Sequence, residues 1–125
     1  MFEILMGIPE MEALWSGLIE RVQSGTASKK EYRLYQQLGK TMKLLSVNPR
    51  HPGLHSHDIE ALSNRYGMKV WESYLENKTA GAGRLFWVYG PDKAQITIIG
   101  IEPHPNDKSI SYKRITLSST GNSIE

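Results

Sequence analysis

Two rhythms divide the hydrophobic positions of this chain. After a short apolar run from Phe2 to Met6 that suits a strand, Met11, Leu14, Trp15, Leu18, Ile19 and Val22 follow at helical spacing. They predict an amphipathic helix over residues 9–23, with Pro9 in the first turn, where a missing N–H is tolerated. Ser24-Gly25-Thr26 ends it. Ser28-Lys29-Lys30-Glu31 then fits a capping box, in which the two side chains satisfy backbone N–H groups reciprocally. In the second helix Leu34, Tyr35, Leu38, Met42 and Leu45 fall on one side at about 100° per residue. Asn48-Pro49 stops it, because proline disfavours helical backbone in the residue before it. The two helices form a hairpin.

From Leu54 onward the period changes. Leu54 to Ile59 and Met68 to Leu75 read as strands or strand-like segments, with a turn over residues 63–67. Residues 77–83 are a flexible connection. Arg84 to Tyr89 and Ala94 to Glu102 then read as two strands joined by the polar turn Gly90-Pro91-Asp92-Lys93. The predicted order is β-α-α-β-β-β, an α+β fold with the helix hairpin on one face of a small, largely antiparallel sheet. Residues 1–118 make a single domain, and the polar residues 119–125 read as a frayed tail.

Alternation puts Leu85, Trp87 and Tyr89 on one face of the arginine strand and Arg84, Phe86 and Val88 on the other. Both sets are apolar apart from Arg84, whereas a half-solvated strand shows one wetter face. Two explanations are compatible with this. Later residues fold back over that face, or a partner polypeptide covers it through Phe86 and Val88.

Composition narrows the class. The 125 residues include no cysteine, which excludes disulfides, thiolate chemistry and cysteine-based zinc sites. No apolar stretch reaches the roughly 20 residues that span a bilayer, and the start of the chain has neither the basic flank nor the apolar length of a signal peptide. A cytoplasmic protein without membrane partners is the expectation. The net charge of +2 is modest. Its distribution is less so: Lys29, Arg33, Lys40 and Lys43 form a narrow arc opposite the apolar side of the second helix, and Arg50 follows in the next loop. Such an arc is either a solvated helix face or a track for RNA phosphates.

Several side chains have the chemistry of phosphodiester cleavage, which needs a proton acceptor, a proton donor and a fixed positive charge. Arg84 suits the third task, since a guanidinium stays charged and grips phosphate oxygens in pairs; it equally suits a salt bridge at the sheet edge. His104, between Pro103 and Pro105, leaves the last strand and titrates near neutrality, as would any loop histidine. Glu72 shares a strand face with Val70 and Tyr74, where a carboxylate acts as a base, orients Arg84, or simply faces water. Tyr74 and Tyr112 offer hydroxyls and stacking surfaces, or cross-strand packing. His51, His55 and His57 invite a metal test. A His-x-His pair without a carboxylate cluster is a weak ligand signal, so no metal and no cofactor are expected.

The ordered set Asn48-Pro49-Arg50-His51-Pro52-Gly53-Leu54, Lys69-Val70-Trp71-Glu72-Ser73-Tyr74, Gly83-Arg84-Leu85-Phe86-Trp87 and Ile96 to His104 resembles the RelE/ParE toxin superfamily. The resemblance spans nearly the whole chain and rests on the order of its segments. It implies a small sheet backed by two helices, and one of two activities: ribosome-dependent cleavage of mRNA, or inhibition of DNA gyrase without cleavage. A non-catalytic RNA-binding module of the same fold is a third reading. The resemblance also implies a cognate antitoxin that wraps the toxin. Residue by residue it carries over Arg84 and His104 as catalytic groups, with Glu72 near an acid position and Tyr112 several residues beyond the histidine. Pro105 stands where nucleolytic members often have a tyrosine or a basic residue.

Overall fold

A computed structural model describes residues 1–75, 83–102 and 116–120. Strand β1 (Glu3–Met6) leads into helix α1 (Glu10–Ser24) and helix α2 (Lys29–Val47). A 3₁₀ turn (Pro52–Leu54), the two-residue strand β2 (His57–Asp58) and a short helix α3 (Glu60–Tyr66) follow. The strands β3 (Trp71–Tyr74), β4 (Arg84–Tyr89) and β5 (Gln95–Glu102) complete the elements. The fold is α+β, with one five-stranded mixed sheet in the order β1-β5-β4-β3-β2. β1 runs parallel to β5, and the other three pairings are antiparallel.

The hairpin forms for the local reasons its sequence gives. Ser28 caps α2 by accepting from the Glu31 N–H at 3.1 Å, while Glu31 Oε1 accepts from the Ser28 N–H at 2.9 Å. Gly25 closes α1 at φ 76°, a left-handed conformation that suits glycine. The apolar stripes of both helices then bury Met11, Leu18, Leu38 and Leu45 against Leu85, Trp87, Ile96, Ile98 and Ile101 of the sheet.

The opposite sheet face has its own cover. Leu62 of α3, with Ile59, Tyr66 and Leu117, packs on Val70, Phe86, Val88 and Ile99. This helix takes in residues 63–66, read above as a turn, and 60–62, to which the pattern gave no element. It also corrects the assignment of Phe86 and Val88 to an antitoxin surface: both are fully buried within the chain. Their apolar excess is explained by α3 and by the returning segment around Leu117. Ser119, placed above in the frayed tail, instead pairs with Ile8, the two exchanging backbone hydrogen bonds of 2.9 and 2.8 Å.

The β4–β5 ladder is regular except at one place. Tyr89, Val88 and Trp87 face Ile96, Thr97 and Ile98, but Phe86, Leu85 and Arg84 face Gly100, Ile101 and Glu102. Ile99 is therefore the extra residue of a β-bulge.

Candidate functional site

Sheet parity gathers four polar side chains on the α3 face, beyond its apolar patch. Glu72 and Tyr74 come from β3, Arg84 from β4 and Glu102 from β5, because Tyr74, Arg84 and Glu102 are successive cross-strand partners. His57 of β2 lies directly opposite Glu72. The sheet thus delivers a guanidinium, two carboxylates, a phenol and an imidazole to one neighbourhood.

Glu72 is its centre. Its side chain is 1% exposed, and Oε1 lies 3.2 Å from His57 Nε2 and 3.6 Å from Arg84 Nη1. Both partners are far more open, at 47% for His57 and 39% for Arg84. Arg84 also rests over the Tyr74 ring, 5.0 Å from its centroid, and His55 stacks on the same ring at 5.2 Å. His57 Nδ1 meets the His55 carbonyl oxygen at 2.8 Å. A buried carboxylate that holds a half-exposed guanidinium and a half-exposed imidazole can present fixed positive charge to an anion.

Glu102 is buried beside this group. Burial pushes its carboxyl above the usual carboxylate range, and the Glu72 charge adds to that, while Arg84 pulls the other way. The folded chain therefore keeps this proton at pH values where the unfolded chain has lost it. Stability from this residue is fully present below the unfolded value of about 4.3 and is lost as pH rises through the raised folded value. Glu102→Gln should remove that loss, so its stability relative to wild type should climb as pH rises from about 4.3 through the raised folded value. Urea unfolding across that range tests this, and parallel curves for the two proteins would count against it.

Of the residues singled out in the sequence, the structure brings Arg84, Glu72 and Tyr74 together. It adds His57 and Glu102, which had no assigned role. His104 and Tyr112 lie outside the described residues. The α2 arc is kept apart from Arg84: Lys29, Arg33, Lys40 and Lys43 are exposed on a helix that covers the other face of the sheet. Lys29 and Arg33 line an open groove with Tyr32 near the α1–α2 turn. Arg50 stands apart from both groups, 5.3 Å over the ring of Trp71.

The three clustered histidines serve separate ends. His51 Nδ1 accepts from the Gly53 N–H, His55 stacks on Tyr74, and His57 meets Glu72. Among the described residues no three His, Asp or Glu side chains are grouped to hold a metal ion. Among the same residues no helix is long and apolar enough to cross a membrane. No protein family, curated protein or solved structure matches the chain.

Proposed function

We propose that this chain is the toxin of a toxin–antitoxin pair and that it cleaves mRNA on the ribosome. The order of segments that resembles RelE/ParE toxins supports this reading, and one observation carries it. Arg84 is a half-exposed guanidinium fixed between the Tyr74 ring and the buried Glu72 carboxylate, with the His57 imidazole on the same carboxylate. A preorganised cation beside proton-transferring groups is what a crowded phosphorane-like transition state requires. Arg84 would bind the scissile phosphate, His104 would transfer a proton, and Glu72 would hold the arginine in place. Tyr112 would relay a proton through its hydroxyl, a role that rests on its side-chain chemistry.

A second reading, gyrase inhibition without cleavage, is favoured by a different observation. The buried Glu72 carboxylate already sits against Arg84 in the chain and offsets its charge. Either toxin would be neutralised by a cognate antitoxin. The test is to add purified chain to ribosomes programmed with a defined mRNA and map breaks by primer extension. Cuts that need both the ribosome and an intact Arg84 are expected. Growth arrest on induction with intact mRNA and altered plasmid supercoiling would replace this reading with the second.

A further inference from the structure

On the helix-covered face of the sheet, at the β3 end of the layer, lies an aromatic stack that the proposed cleavage does not use. Trp87 is buried, and its indole N–H donates to Ser73 Oγ at 2.8 Å, which fixes the ring. Ser73 is held in turn by Ser56, hydroxyl to hydroxyl, at 2.7 Å. Trp71 lies nearly parallel to Trp87, with centroids 5.8 Å apart and planes 15° apart, and it is only half-buried. Tyr89 meets both indoles edge-on and is 37% exposed. The stack is rigid on its inner side and partly open on its outer side.

Two cations lie over the Trp71 ring, the Arg50 guanidinium at 5.3 Å and the Lys69 ammonium at 5.6 Å. Both side chains are exposed, and neither is paired with a carboxylate among the described residues. Cation–π contacts at exposed sites are weak, so this cover is readily exchanged. A flat ring under two solvated, displaceable positive charges complements a nucleotide of a single strand. The base stacks on the aromatic face, and the flanking phosphates meet the cations. An acidic peptide would use the charges but would leave the ring without a flat partner.

We propose that Trp71, Arg50 and Lys69 form a stacking platform for an unpaired base of single-stranded RNA. The platform rests on the reading that the chain works on RNA and adds a second contact to it. Trp71 and Glu72 are neighbours on one strand and point to opposite faces, so platform and cleavage site can be altered independently.

The experiment uses the full chain and a fluorescent, 2′-O-methylated oligouridine, which cannot be cleaved through its 2′-oxygen. Binding that falls about five- to a hundredfold in Trp71→Leu, with most of it retained in Trp71→Phe, is expected. The variant Arg50→Ser/Lys69→Ser alters only exposed side chains and guards against misfolding of Trp71→Leu. It should weaken binding and lower the slope of log affinity against log salt by about 1.4, near 0.7 per lost phosphate contact on a single strand. The proposal is overturned if the wild type does not bind the oligomer at low salt, or if the Arg50/Lys69 variant binds as the wild type does. It is also overturned if polyglutamate binds the same residues equally tightly. Cleavage on ribosomes alongside such a negative result would leave the nuclease reading standing and remove the platform. Trp71-dependent binding without any cleavage would do the reverse.

Discussion

Arg84→Ala is expected to slow single-turnover cleavage of ribosome-bound mRNA by about a hundredfold or more, the usual cost of removing a preorganised charge from a transition state. Arg84→Lys should recover only part of that loss. An ammonium keeps the charge but can neither grip two phosphate oxygens at once nor lie flat on Tyr74 as a guanidinium does. His104→Ala, the proton-transfer group implied by the resemblance, should cost about a hundredfold. The double variant should fall short of the product of the two, because groups that act as a unit do not contribute independently. Arg84→Ala also leaves the buried Glu72 and Glu102 without their shared cation. Rates are therefore compared at a temperature where circular dichroism shows each variant folded. Wild-type rates in both single variants would remove the site assignment.

Phe86→Ala should cost about 3–5 kcal/mol of stability, and Phe86→Asp should prevent folding altogether. Phe86 has no exposed surface, is the cross-strand partner of Glu72, and sits in the patch capped by Leu62 and Leu117. A carboxylate there would be buried beside an existing carboxylate and among apolar side chains, with no provision for its charge. Denaturant unfolding reads the alanine variant, and far-ultraviolet circular dichroism reads the aspartate one. A Phe86→Asp protein with the wild-type unfolding midpoint would mean that this face is open to a partner and is not closed by α3.

The elements legible in the sequence are those whose causes are local. The Ser28–Glu31 capping box, the stop at Asn48-Pro49 and the β4–β5 hairpin depend on residues close in the chain, and each stands where its pattern puts it. The face parity of Arg84 and Glu72 follows from alternation alone. Helix α3 is different. Seven residues without a side-chain cap are too few to hold a helix by propensity. What holds it is tertiary: Leu62 against Phe86 and Val88, and Ser63 Oγ, which donates to the Ile59 carbonyl and accepts from the Val70 N–H. His57 and Glu102 escaped notice in the candidate site for a related reason. Each reaches it through the register of a partner strand, and pairing across strands leaves no mark on either segment alone.

That register hangs on Ile99. If β5 ran past β4 without its extra residue, Phe86 would face Ile99, Leu85 would face Gly100, and Arg84 would face Ile101. The guanidinium would then look across at a hydrocarbon side chain, and the Glu102 carboxylate would turn toward the helices and their leucines. A single supernumerary position in one strand thus sets the polarity of everything downstream of it: excising Ile99 itself would straighten the strand and leave Glu102 beside Arg84, whereas flattening the bulge at unchanged length would put an alkane there in place of the acid.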